Sequence, residues 1–103
     1  MSMRIIALST LRDFWEKHPQ AQTPLQSWYH EVARAEWKTP ADIKAQYRNA
    51  SFVGSNRVVF NIKGNDYRIV VAVVYKAGAM FIKFVGTHDE YDQINVETVE
   101  HKA

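Results

Sequence analysis

Cysteine is absent from the 103 residues of this chain, which excludes disulfide staples, thiolate zinc sites and a cysteine nucleophile together. Glycine and proline are scarce, at four and three residues, while apolar and aromatic residues make up 47%. That balance belongs to a folded globule and not to a low-complexity chain. No stretch approaches the roughly 20 apolar residues that span a bilayer, and the opening MSMRIIALST lacks the long apolar core of an export signal. A soluble, cytoplasmic protein without membrane contact is expected. There is no phosphate-binding GxxxxGK motif, no HExxH, and no close ligand spacing among the four histidines. Neither a metal site nor a cofactor is expected.

Net charge is also small, at +2, so the charge distribution says more than the sum. Between Lys38 and Gly86 lie Lys38, Lys44, Arg48, Arg57, Lys63, Arg68, Lys76 and Lys83 against only Asp42 and Asp66; from Thr87 onward the acids Asp89, Glu90, Asp92, Glu97 and Glu100 face one lysine. A basic body precedes an acidic segment. With this length, one core is affordable, and residues 1–103 read as a single domain.

MRIIAL has the look of a short strand, followed by a helix LRDFWEKH that Ser9 or Thr10 would cap and Pro19 would stop. Thr23-Pro24-Leu25-Gln26 has the features of a helix start. Leu25, Trp28, Tyr29, Val32 and Ala35 then recur at helical spacing. Thr39-Pro40-Ala41-Asp42 repeats the signature and opens a shorter helix toward Tyr47.

From Arg57 the apolar period becomes two, and Gly64-Asn65 offers the glycine-first pair of a hairpin turn. A two-residue loop there sets Ile62 opposite Tyr67 and Asn61 opposite Arg68. Val58, Phe60, Ile62, Tyr67, Ile69, Val71, Val73 and Tyr75 then share a core face, and Asn61, Lys63 and Arg68 lie on the other. A second two-residue turn at Ala77-Gly78 pairs Val74 with Phe81 and Ala72 with Lys83, placing Met80, Ile82 and Phe84 in the core. A three-residue loop would reverse those faces. The expected fold class is α+β: an N-terminal strand and helices packed on a small antiparallel sheet, closed by a short C-terminal helix.

That last helix starts in THDEYD, Thr87 to Asp92. The plainer reading is structural, because Thr87 and Glu90 form a capping box. It leaves His88, Tyr91 and Asp92 without a purpose. A histidine at a helix start just beyond a strand is held at a sheet rim, where it can exchange protons near neutral pH. His18, at a helix end, His30, within a helix, and His101, in the acidic segment, read as structural or solvent-facing. The converging Lys63, Arg68 and Lys83, with Asn61, Lys44, Arg48 and Arg57 around them, match the pattern that grips a polyanion backbone, though a solvated sheet face would also be basic. Arg68 interrupts YRIVVAVVY and calls for a carboxylate such as Asp66 or for a bound anion.

NIKGNDYRIVVAVVY followed by FIKFVGTHDEYD resembles the HigB family of toxins from bacterial type II toxin-antitoxin systems, and the order of the preceding strand and helices extends the likeness over nearly the whole chain. The resemblance implies a compact RelE-like fold and a metal-independent endoribonuclease that cuts mRNA, usually on the translating ribosome. It implies inhibition by a helix-turn-helix antitoxin of the HigA type, with DNA reached only through that partner. In such enzymes the ribose 2′-hydroxyl attacks the adjacent phosphate, which requires a proton acceptor, a proton donor and cations. The resemblance assigns catalysis to His88, Arg68, Lys83 and Tyr91, with Asp92 and Thr87 in support and Lys63, Asn61, Arg57, Arg48 and Lys44 as RNA contacts. The alternatives are a non-catalytic module that binds RNA or antitoxin, as a relic toxin would, and a gyrase-directed toxin of the same broad fold.

Overall fold

A computed structural model describes residues 3–100; His101 lies outside them. The elements run β1 (Arg4–Ile6), α1 (Leu8–Lys17), α2 (Gln22–Arg34), α3 (Pro40–Gln46), β2 (Ser51–Val53), β3 (Arg57–Ile62), β4 (Tyr67–Val74), β5 (Ala79–Thr87) and α4 (His88–Tyr91). One five-stranded sheet has the order β1-β5-β4-β3-β2. β2 to β5 form an antiparallel meander, and β1 joins β5 in parallel, with Ile5 beside Met80. This is the α+β class, in two layers.

One face of the sheet buries Val58, Phe60, Ile62, Tyr67, Ile69, Val71, Val73, Met80 and Ile82 against Leu11, Leu25, Trp28, Val32, Trp37 and Ile43 from the helical side. Leu25, Trp28 and Val32 are the buried positions of the α2 stripe. Phe60 is the hub of an aromatic layer. Its ring lies 5.3 Å from Trp28, 6.1 Å from Trp37 and 5.1 Å from Tyr47, measured between centroids. Tyr47 also donates its hydroxyl proton to Glu31 of α2. Burial first, and then that contact, pushes the phenol pKa upward.

Three helix starts differ from, or agree with, their sequence signals for local reasons. α1 begins at Leu8 after Ala7, with no side-chain cap, so Ser9 and Thr10 fall inside the first turn and Thr10 is buried. A 3₁₀ turn, Pro19–Ala21, runs directly into α2, and Thr23 is likewise already helical. At α3 the box is made in full: Asp42 N–H donates to Thr39 Oγ1, and Asp42 Oδ2 accepts from the Lys38 and Thr39 amides, which holds its carboxyl below the usual pKa.

The first hairpin has the expected register, Ile62 opposite Tyr67 and Asn61 opposite Arg68. The second differs. Val74 pairs with Ala79 across a four-residue connection that ends at left-handed Gly78, φ +62°. Relative to the two-residue loop, the pairing slides by two positions, so Met80 and Ile82 stay in the core. A bulge between Val70 and Val71 then gives Lys83 no partner and sets Phe84 opposite Val70. An extra residue reverses the alternation, so Val85 packs on the core in place of Phe84. Among the described residues no helix is long and apolar enough to cross a membrane.

Candidate active site

The β3–β4 turn, the end of β5 and α4 converge at one end of the sheet. The turn closes through the Asp66 N–H donating to the Lys63 carbonyl at 3.1 Å, with Lys63 and Gly64 both at positive φ (+52° and +66°). Glycine adopts that backbone without penalty and lysine does not, so the turn aims Lys63 outward at some local cost. Lys63 Nζ stands 3.6 Å from Asp66 Oδ2.

Register carries the next two residues. Tyr67 pairs with Thr87 and Arg68 with Gly86, and the His88 N–H donates to the Asp66 carbonyl at 3.0 Å. The histidine backbone is thereby fastened to the hairpin turn. At Gly86 a Cβ would meet Phe84 Cζ at 2.5 Å and Glu90 Oε1 at 3.0 Å, so a side chain there would push against the Phe84 ring and the capping carboxylate. Thr87 and Glu90 complete the cap. The Thr87 N–H donates to Glu90 Oε1 at 2.8 Å and the Glu90 N–H to Thr87 Oγ1 at 3.2 Å. These bonds leave His88 at the first position of α4 with half of its side chain exposed and Nδ1 3.7 Å from Asp92 Oδ1.

Arg68 is half-buried and lies away from the helical core. Its guanidinium donates to the Asn65 carbonyl at 3.2 Å and sits 5.4 Å from the centre of the Tyr91 ring, a cation–π distance. Arg68, Tyr91, His88 and Asp92, with Lys63 on the adjoining turn, therefore lie along one partly exposed rim of the sheet. The carboxylate that the sequence offered to Arg68, Asp66, stands beside Lys63 instead.

The remaining expected contacts lie elsewhere. Arg48 and Asn61 line a depression beside β3 together with Tyr47 and Asn49. Lys44 Nζ donates to the Ala50 carbonyl at 2.8 Å and so pins the loop before β2. Lys83 is off the core face as expected, but its Nζ is held at 2.8 Å by Glu100. Arg57, expected as an exposed RNA contact, is buried. It donates to the carbonyls of Val96 and Val99, at 2.9 and 2.5 Å, and to Glu100 Oε2 at 2.7 Å. Sequence reasoning missed Glu100; the acidic segment following a basic body was the available signal. His18 stacks on Phe14 at 4.4 Å, and His30 is exposed on α2. Among the described residues no three His, Asp or Glu side chains gather as a metal site would require.

Residues 21–94 match the family model of the HigB toxin, described as the RelE-like toxic component of a toxin-antitoxin system. The chain belongs to the HigB toxin family. It is 33% identical over 93 residues to the mRNA interferase toxin HigB of Escherichia coli strain K12, covering 87% of this chain and 88% of that protein. The mRNA interferase HigB of Escherichia coli O157:H7 gives the same identity and coverage. The mRNA interferase HigB of Escherichia coli O6:H1 is 24% identical over 102 residues, 97% of this chain and 99% of the relative. The HigB match takes in α2 through α4, and therefore the whole rim from Lys63 to Asp92.

Proposed function

We propose that this chain is a single-domain mRNA interferase: an endoribonuclease that cuts messenger RNA on the translating ribosome in the cytoplasm, and that a HigA-type helix-turn-helix antitoxin neutralises. DNA would be met only through that antitoxin. The observation that carries the reading is the bond from the His88 N–H to the Asp66 carbonyl, which joins the start of α4, with its exposed imidazole, to the turn that carries Lys63, while Arg68 of the adjoining strand meets Tyr91 of the same helix. The names of the relatives support the substrate.

The chemistry follows from those groups. The 2′-oxygen attacks the adjacent phosphorus, its proton passes to a base, the bond from phosphorus to the 5′-oxygen breaks, and that oxygen takes up a proton. A 2′,3′-cyclic phosphate and a 5′-hydroxyl result. His88 exchanges one of the two protons, as acid or as base, with Asp92 orienting it. Arg68 and Lys63 offset the charge that grows on the phosphate oxygens, and Tyr91 holds Arg68 from below while presenting a face on which a base can stack. Lys83, farther along the same face, adds charge for the RNA backbone. No step needs a metal ion.

Arg68→Ala tests this division of labour. Its side chain lies off the core, so the melting temperature should move little, whereas loss of an electrostatic contact to the transition state costs roughly 10²–10³ in rate. Cleavage of a ribosome-bound message by purified protein is the readout. An unchanged rate alongside a lowered melting temperature would make Arg68 a strut for Tyr91 only.

A further inference from the structure

Residues 95–100 run over the sheet face that the helices leave open. On that face Val59 and Val70 are nevertheless 2% and 0% exposed. The segment turns on Asn95, whose carbonyl accepts from the Thr98 and Val99 amides and whose side chain accepts from the Glu97 amide. Arg57 and Lys83 fasten it to the sheet. The Glu100 carboxylate is divided between them, Oε2 to Arg57 at 2.7 Å and Oε1 to Lys83 at 2.8 Å. The Lys83 bond, with that of Arg57 beside it, holds the Glu100 carboxyl below its usual pKa.

This arrangement has the form of an anion site already filled. Two cations, each holding one oxygen of a planar carboxylate, would hold two non-bridging oxygens of a phosphodiester in the same way. The β5 bulge leaves Lys83 without a cross-strand partner, on the same face of the sheet as Arg57. The Arg57 side chain is only 6% exposed, so the segment covers it, while Glu100 is 58% exposed and within reach of competing anions. Exposed ion pairs are individually weak, whereas a bound RNA brings several phosphates and releases counterions. Exchange of one carboxylate for one phosphate also keeps the buried guanidinium neutralised.

We propose that Arg57 and Lys83 form a phosphate subsite on the open face of the sheet, that Glu100 occupies it in the free protein, and that RNA displaces residues 95–100 to reach it. The proposal rests on the RNA-cleaving reading for its ligand but concerns a surface apart from the His88 rim.

The test uses the full chain and a single-stranded RNA with 2′-O-methyl riboses, which binds but cannot be cut, followed by fluorescence anisotropy at several salt concentrations. Glu100→Gln should bind about three- to tenfold tighter at low salt. Its plot of log affinity against log salt should be steeper by ~0.7–1.4, one or two phosphate contacts more. Glu97→Gln, which removes the same charge from the same segment, should change affinity far less, and adding Lys83→Gln to Glu100→Gln should abolish the gain. In the wild type, saturating RNA should speed amide exchange at Thr98 and Val99. If wild type and Glu100→Gln bind RNA equally, or if residues 95–100 stay protected under saturating RNA, the subsite is refuted while the rim mechanism stands. If neither protein binds RNA, the subsite and the nuclease reading fall together.

Discussion

His88→Ala is expected to leave a folded protein that cuts a ribosome-bound message some 10²–10⁴-fold more slowly, the usual cost of removing a general acid or base. The fold should tolerate the change because half of the imidazole is exposed and α4 is held by Thr87, Glu90 and the His88 backbone rather than by the ring. Thr87→Ala is its mirror image. It removes the hydroxyl that accepts from the Glu90 amide and should cost about 0.5–2 kcal/mol of stability. The rate per folded molecule should be largely kept, because the bond from His88 N–H to the Asp66 carbonyl still sets the position of the histidine. The pair is compared at matched folded concentration. A wild-type rate for His88→Ala would reduce THDEYD to a helix cap and move the proton chemistry to Tyr91 or Lys83.

The largest stability loss is expected at Phe60. It is 1% exposed and touches the rings of Trp28, Trp37 and Tyr47, which come from α2, the loop after it and the end of α3. Phe60→Ala removes the one side chain common to these contacts. Truncating a buried phenylalanine costs about 3–5 kcal/mol, a large share of the 5–15 kcal/mol that holds a typical domain together. A fall in melting temperature of roughly 12 °C or more is expected for a chain of this size. Urea unfolding followed by tryptophan fluorescence would report it directly. A loss under about 1 kcal/mol would mean that the helices are joined to the sheet elsewhere, through Leu25, Val32 and Ile43.

What could be read from the sequence depended on how local the cause was. The capping boxes at Thr39 and Thr87 act within four residues, and both form. The same signature at Thr23 is overridden by the 3₁₀ turn before it, and Ser9 by the early start of α1. Alternation identified the core face of β3 and β4, and the glycine turn identified their register. The bulge at Lys83 was invisible, because nothing in AMFIKFVGT marks which residue the ladder will skip. β2 escaped notice for a related reason: its three residues, Ser51–Val53, become a strand by pairing with β3 and not by any pattern of their own.

The site divides along the same line. His88, Tyr91 and Asp92 were legible as a cluster because four residues of helix hold them together. Arg68 was legible as an anomaly, a charge in an apolar strand. That it rests on Tyr91 required the strand to meet α4 in three dimensions. Arg57 looked like one more surface cation. Its burial comes from partners about 40 residues later in the chain, and only the charge split between the basic body and the acidic segment hinted at them.

The chemistry of the cut ends tests the central claim most directly. Purified protein is given a message on stalled ribosomes, and the new 5′ and 3′ termini are identified, by polynucleotide kinase labelling for the 5′ end and by mass spectrometry for the 3′ end. Attack by the 2′-oxygen, with His88 exchanging a proton and Arg68 and Lys63 balancing charge, predicts a 5′-hydroxyl and a 2′,3′-cyclic phosphate or its 3′-phosphate product. A 5′-phosphate with a free 3′-hydroxyl would mean that water, activated in some other way, is the nucleophile, and would contradict the account.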